Sequence, residues 1–464
     1  MTPPDGTNSF SRRATRAVFH PYTNAVANDR DGPLVIMRGE GVRVWDEDGK
    51  EYIEGMAGLW CASLGFSEHR LADAAARQMR TLPFYHGFSH KSHAPQIELA
   101  ERLLELAPAP MGRVFFCNSG SEAIDTAVKL IWYYNNTRGK PEKKKIISRV
   151  KAYHGVTVAA ASATGVPANH TNFDLPIDRF LHTDLPHFYR FGAAGETEED
   201  FATRCADNLE SMILAEDPET VAAFFAEPVM GAGGVIVPPA TYFDKIQAVL
   251  KKYDILLLAD EVICGFGRTG RMWGSETFGL KPDLLTTAKA LTSGYIPISA
   301  LMVSKEIYET VAPKTAEIGT FGHGYTYSGH PVAAAVALET LDIYAEMDVV
   351  ERVRSAAVPF QKRLAALAGH PLVGETMGIG LIGAIELVAD RDTRAMFEPA
   401  GKTGPYAVSR AQAHGAILRP LVDRVAFSPP LIISDADIGL MFDRAEAALD
   451  DTAAWLKAGG LTGN

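Results

Sequence analysis

The sequence predicts an α/β protein built on a mostly parallel sheet, and two features carry that expectation. Short β-rich runs recur between amphipathic helices, at Val114–Cys117, Lys145–Ser148, Ala222–Ala226, Ile255–Ala259, Leu284–Thr287 and Ser299–Val303. Most are continuously apolar, as strands covered on both faces must be, whereas a half-exposed strand alternates. The helix between two of them sets Phe243, Ile246, Leu250 and Tyr253 on one side and Asp244, Lys245, Gln247 and Lys251 largely on the other. That is the period of a helix resting on a core. The pattern places a large domain at residues 75–335.

The flanks read differently. In residues 1–74, Val42–Trp45 and Glu51–Glu54 form a hairpin around a turn containing Gly49, and the pair must pack on something else. From 336 to 464 the order is that of a smaller α+β unit. The long helix Pro331–Met347 runs into it, and a helix at Val353–Leu367 and a Gly-rich strand Gly378–Leu387 follow. Next come a helix Pro405–His414, short strands Ile417–Arg419 and Val425–Ser428, and a last helix Asp435–Leu456. No internal repeat or low-complexity tract interrupts the chain.

Composition narrows the function. The 464 residues, 47% hydrophobic, suffice for two or more domains. With 45 Lys and Arg against 56 Asp and Glu, the net charge of −11 disfavours nucleic acid, whose phosphates need a basic face. Cys61, Cys117, Cys205 and Cys264 have no metal-ligand or disulfide spacing, which suits reduced thiols and a cytoplasmic setting. No apolar run reaches the roughly 18 residues of a membrane span. Met1–Gly6 lacks the apolar stretch of a secretory signal, although the basic stretch Ser9–Arg16 keeps a transit peptide open.

The chemistry concentrates at strand ends. Ile255–Val262 carries Asp260 where a buried strand finishes, and 29 residues later Lys289 follows the apolar run Leu284–Thr287. A buried carboxylate calls for a cation beside it, and a desolvated lysine is easily made a nucleophile. Together they suit a cofactor with a ring nitrogen to be held protonated and an aldehyde to be captured, which describes pyridoxal 5'-phosphate. Alone, Asp260 would equally serve as a cap or an ion-pair partner.

Other segments fit the same site. Asn118-Ser119-Gly120-Ser121-Glu122-Ala123 opens a helix with Ile124, Val128 and Ile131 on its apolar side. Ser119 and Glu122 match a capping box. The free N–H groups, the helix dipole and the Ser121 hydroxyl also make a phosphate site, with Gly120 allowing close approach, and Ser119, Gly120 and Ser121 are the candidate cofactor-binding residues. Tyr153 and His154, after the Lys145–Ser148 strand, emerge at the same edge, where an aromatic can stack on a planar ring. Glu227 ends another strand, from which it can orient Tyr153 or Lys289. Gly265–Gly270 matches GxGxxG, but no amphipathic helix follows, which argues against a dinucleotide site. His86, His90 and His93 have ligand-like spacing without acidic or Cys partners nearby, so no metal is expected.

Taken together, these motifs resemble the class III (ω-) aminotransferases, of the fold-type I pyridoxal-phosphate enzymes, from about Pro21 to the last helix. Leu258–Gly270 resembles the family signature around Asp260 and Val262, Ala288–Pro297 resembles the segment of the cofactor-binding Lys289, and Tyr153–Gly155 resembles the ring-stacking motif. His323–Pro331 is similar to the loop whose threonine, Thr326 here, reaches the phosphate of the other subunit, which implies a homodimer with shared active sites. Gly55–Cys61 is similar to the amine:pyruvate subgroup, where Trp60, Phe88 and Tyr153 would shape the donor pockets. Ile417–Pro420 matches the mobile arginine, so Arg419 is expected to receive a substrate carboxylate, with Arg424 its rival.

The resemblance implies a large mostly parallel-sheet domain and a smaller domain assembled from both termini. It also implies transfer of an amino group from an amine or ω-amino acid to a keto acid such as pyruvate by a ping-pong mechanism, with Lys289 as the proton carrier. An aminomutase or decarboxylase on the same fold is the alternative.

Overall fold

Seven strands form the central sheet, in the spatial order Met111–Cys117, Ser299–Ser304, Leu284–Thr287, Leu256–Asp260, Val221–Ala226, Lys145–Arg149 and Phe180–Thr183. This is a computed structural model, which describes residues 9–461. The Met1–Gly6 stretch read above lies outside the described residues. The strand Ser299–Ser304 is antiparallel to both neighbours, and the remaining pairs are parallel. Its direction follows from chain length. Only eleven residues separate Thr287 from Ser299, fewer than the dozen or more that a parallel crossover needs.

The central strands Val221–Ala226 and Leu284–Thr287 are buried at every position, which is why they read as unbroken apolar runs. The strand Phe180–Thr183 was not expected. It lies at the edge, and only Phe180 and Thr183 are buried, so its sequence carries little apolar signal. Phe243, Ile246 and Leu250 of the helix Tyr242–Lys252 are buried as their period predicts, packed with Phe224 and Leu257 of the sheet.

Two four-stranded sheets lie outside the central one. Ile36–Glu40, Arg43–Asp46 and Glu51–Glu54 form an antiparallel meander, and Ala416–Ile417 joins it in parallel beside Glu51–Glu54. The early and late parts of the chain thus share one sheet. The other contains Val373–Ile379, Ile382–Leu387, Arg424–Phe427 and Arg419–Leu421 in that order.

Two expectations are corrected here. The single strand Gly378–Leu387 is the turn and second arm of a hairpin, in which Ile379 pairs with Ile382. Gly380, at φ +58°, makes the turn, and no polar residue marks it. The expected strand Ile417–Arg419 breaks at Leu418, so that Ile417 pairs with Glu54 while Arg419 pairs with Ala426 in the other sheet. Among the described residues, no helix is long and apolar enough to cross a membrane.

Candidate active site

Six of the seven central strands point the same way, so the residues after them gather along one edge, where α/β sheets present their ligand sites. Asp260 ends its strand, and Glu227, Lys289, Tyr153 and the helix Gly120–Thr137 follow theirs. They border a cavity of about 480 Å³ that also receives Tyr22, Trp60 and Arg419, a size suited to a cofactor with a small substrate.

Asp260 is 4% exposed. Its Oδ2 lies 2.8 Å from His154 Nδ1, and its Oδ1 accepts from the Val262 N–H at 3.2 Å. A carboxylate only accepts, so His154 donates from Nδ1. His154 Nε2 is buried without a partner among the described residues. The carboxylate is thereby held from two sides.

Lys289 stands at φ +45° at the start of a single 3₁₀ turn, Lys289–Thr292. A non-glycine residue adopts that conformation only where its surroundings impose it. Burial pushes its amine below the ordinary lysine value of 10.5, and nearby Cys61, Asp260 and Glu227 oppose the shift. The Nζ lies 5.4 Å from the centre of the Trp60 ring.

At the other end of the cavity, Gly120 and Ser121 present the first turn of an 18-residue helix. The N–H groups of a first turn have no partner within the helix, and the dipole adds positive potential. Space is tight. A Cβ on Gly120 would stand 3.3 Å from Val262 Cγ2, and one on Gly155 would stand 2.4 Å from Ser121 Oγ.

Ser119 takes a different part from that expected, because it does not border the cavity. Its Oγ accepts from the Glu122 N–H at 3.2 Å, while Glu122 Oε2 accepts from Asn118 N and Nδ2 at 2.7 and 2.8 Å. The capping box is therefore half made, with Glu122 reaching one residue further back. Ser121 Oγ accepts from the Val156 N–H at 3.0 Å, tying the helix start to the Tyr153 loop. Glu227 borders the cavity, yet its two oxygens accept from the backbone N–H groups of Tyr153 and Gly231 at 3.0 and 2.9 Å. It braces two loops instead of orienting Lys289.

The two arginines separate cleanly. Arg424 is 5% exposed and bonds Glu375 at 2.8 Å, Glu386 at 2.5 Å and the Gly234 carbonyl at 2.8 Å. These bonds commit it to an ion-pair cluster that also holds His187 and Arg190. Arg419 faces the cavity with its Cζ 4.9 Å from the Trp60 ring centre, and no carboxylate pairs with it among the described residues. Of the two, Arg419 is the one left unpaired beside the cavity.

His187, Glu375 and Glu386 bring ligand-type atoms within 4.8 Å of one another, but the Arg424 guanidinium already neutralises that cluster. His93 Nδ1 caps a helix by accepting from the Gln96 N–H. Arg268, inside the GxGxxG stretch, is spent on the Leu381 and Pro429 carbonyls. The stretch leads into a helix of only five residues, Gly274–Phe278.

Phe88 and Thr326 are exposed and lie outside this chain's own cavity. Phe88 packs instead by Gly324, where a Cβ would stand 3.0 Å from its Cζ. Conversely, Tyr22 was missed. Its ring meets Tyr153 edge-on at 6.4 Å, and its hydroxyl accepts from Asn169 Nδ2 at 2.5 Å. Nothing near position 22 in the sequence signals a pocket, because its neighbours there come from more than a hundred residues away.

These groups fit pyridoxal phosphate. The Gly120 helix start takes an anion, Asp260 offers a fixed acceptor for a ring N–H, and Lys289 supplies a desolvated amine. The known proteins agree. A γ-aminobutyrate transaminase (isoform 3, chloroplastic) of Solanum lycopersicum is 52% identical over 93% of this chain and 83% of its own length. The ω-transaminase of Pseudomonas jessenii, in complex with PMP, superposes with a TM-score of 0.96 at 55% identity, covering 98% of this chain and all of that one. A thermostable ω-transaminase variant engineered for asymmetric synthesis of enantiopure bulky amines gives 0.95 at 55% identity, over 96% of this chain and all of its own. The Aminotransferase class-III family matches residues 25–449. With a site built for an aldehyde cofactor and likeness along nearly its whole length, this chain belongs to the class III aminotransferases, pyridoxal-phosphate enzymes that move an amino group from an amine donor to a keto acid.

Proposed function

We propose that the protein is an ω-transaminase of the amine:pyruvate type, taking amines or ω-amino acids as donors, and that it works by a ping-pong sequence as a cytoplasmic homodimer. The carrying observation is that Asp260, Lys289 and the Gly120 helix start share one cavity with an unpaired Arg419 and the aromatic walls Trp60 and Tyr153. Pyridoxal phosphate, when bound, supplies an aldehyde that captures the donor amine and a ring that draws electrons from the donor carbon. Gly120 and Ser121 N–H groups hold its phosphate. Asp260, steadied by His154, holds the proton on the ring nitrogen, and Lys289 Nζ takes the proton from the donor carbon and later returns it. Trp60 and Tyr153 bear on the apolar part of a donor, and Arg419 binds the carboxylate of the keto acid through a two-point contact.

Relatives support this reading, one being a γ-aminobutyrate transaminase and another a variant engineered for the synthesis of bulky amines, which a reversible transamination makes donors in the opposite direction. The engineered enzyme is substituted at a tryptophan, a phenylalanine and an arginine spaced 28 and 331 residues apart, as are Trp60, Phe88 and Arg419 here. That spacing supports assigning Phe88 to a pocket that its own chain does not bring it to. A second copy accounts for this, delivering Phe88 and Thr326 from an exposed patch that includes Phe84, Tyr85 and Tyr327. The four cysteines are free thiols, which suits a reducing compartment.

Incubation with an arylalkyl amine and pyruvate should yield ketone and alanine in equal amounts. Repeated turnover of an ω-amino acid without pyruvate would favour the aminomutase or decarboxylase. Mixing subunits of Lys289→Ala with subunits of Thr326→Asp should regenerate activity, since a mixed dimer with shared sites contains one intact set. No regain overturns the shared site.

For Arg419→Ala, the KM for pyruvate should rise about 10- to 100-fold, the worth of a charge-assisted hydrogen bond of about 1.5–3 kcal/mol. Reaction with a neutral arylalkyl amine should stay within about threefold. Separate stopped-flow measurement of the two half-reactions checks this.

A further inference from the structure

Glu54 is a buried carboxyl that the reaction does not use. It is 6% exposed, and no Lys, Arg or His pairs with it among the described residues. Burial pushes it up to about 8, against the backbone N–H groups of Met56 and Gly58. A carboxyl in such a place is costly unless its oxygens are occupied. They are occupied by the turn that follows, where Glu54 Oε1 accepts from the Met56 N–H at 2.8 Å. In that turn Ala57, Gly58 and Trp60 stand at φ +48°, +67° and +59°. Positive φ at the non-glycine residues Ala57 and Trp60 persists only when the surroundings hold it.

The turn carries Trp60, whose ring centre lies 5.4 Å from Lys289 Nζ and 4.9 Å from Arg419 Cζ. The base of the turn is anchored as well. Gly55 N–H donates to the Ile417 carbonyl at 2.9 Å, and Ser428 N–H donates to the Gly55 carbonyl at 2.7 Å. Glu54 therefore sits where the Trp60 turn meets the strand leading to Arg419.

We propose that Glu54 is a specificity-determining positioning residue, whose carboxyl holds the 56–60 turn and so sets where Trp60 stands relative to Lys289 and Arg419. The inference rests on the reading of the cavity as an amine-donor pocket. A neutral acceptor should serve equally well, so Glu54→Gln should keep the KM for an arylalkyl amine within about twofold. Glu54→Met should raise it about tenfold with kcat within about threefold. In a Trp60→Ala background the same Met substitution should add less than about twofold, because the two residues act as one unit.

Equal effects of Glu54→Met in both backgrounds, or a Gln variant as impaired as Met, would overturn the proposal. Should Glu54→Met fail to fold, Glu54→Asp, which withdraws the acceptor from the Met56 N–H, takes its place in the cycle. Trp60 emission, isolated as the difference from Trp60→Phe, should shift in the Met or Asp variant and not in Gln. No such shift also overturns it. An unaltered protein that transaminates no amine would sink the functional reading instead, and the emission measurement would still decide the role of Glu54.

Discussion

Turnover of Lys289→Ala with amine and pyruvate should fall by at least about 10⁴-fold, the upper range for a lost proton carrier, while the protein remains folded. The fold does not depend on this amine. Its Nζ lies 5.4 Å from the centre of the Trp60 ring and makes no hydrogen bond or ion pair among the described residues, and the backbone of the turn is held by Gly294 N–H on the Lys289 carbonyl and Tyr344 hydroxyl on the Ala290 carbonyl.

The pH dependence has a definite sign. Burial lowers the Lys289 pKa, with Cys61, Asp260 and Glu227 opposing and Arg419 assisting. The neutral form, the one able to capture an aldehyde, accumulates as pH rises, so uptake of pyridoxal phosphate by the cofactor-free protein should speed up with pH and level off below 10.5. By linkage, the folded state binds fewer protons than the unfolded one in that window, so stability of the cofactor-free protein should increase with pH through it. Lys289→Met should abolish that slope. Cofactor-uptake rates and melting curves across the pH range measure both, and residual turnover of Lys289→Ala above about 1% would place the proton carrier elsewhere.

Asp260→Asn should lower kcat by about a thousandfold. The argument is electrostatic, because Asn keeps the shape and loses the charge. A charge pair at about 4 Å in an effective dielectric of about 20 is worth about 4 kcal/mol, which is about a thousandfold in rate. The substitution also asks the amide to replace an acceptor that takes the His154 Nδ1–H at 2.8 Å and the Val262 N–H at 3.2 Å. Removal of His154 alone leaves the charge in place and should cost less. A variant retaining more than about a tenth of kcat would mean that the carboxylate does not stabilise the ring proton.

Much of the site was legible because strand ends mark themselves. Asp260, Glu227, Tyr153 and Lys289 each follow an apolar run, and parallel strands deliver such positions to one edge. Ser119 was harder, since a serine before a helix serves equally as a cap or an anion ligand. Here it is the cap, and Gly120 with Ser121 faces the cavity. The hairpin within Gly378–Leu387 was hidden because its turn is made by a glycine at positive φ among apolar residues, with none of the usual polar turn residues.

Periodicity and the chemistry of single residues were enough for the sequence to determine the parallel sheet, the carboxylate and amine pair and a helix start suited to an anion, while the family was indicated by the likeness of its motifs to those of class III aminotransferases. These signals are local, or repeat along the chain. Only the folded chain decided that Arg419 and not Arg424 is free, that Glu227 braces loops, that Tyr22 joins the wall and that Glu54 lies beneath the Trp60 turn. Each of those outcomes depends on which distant side chain satisfies a charge or a backbone N–H, and pairing across hundreds of residues leaves no periodic trace.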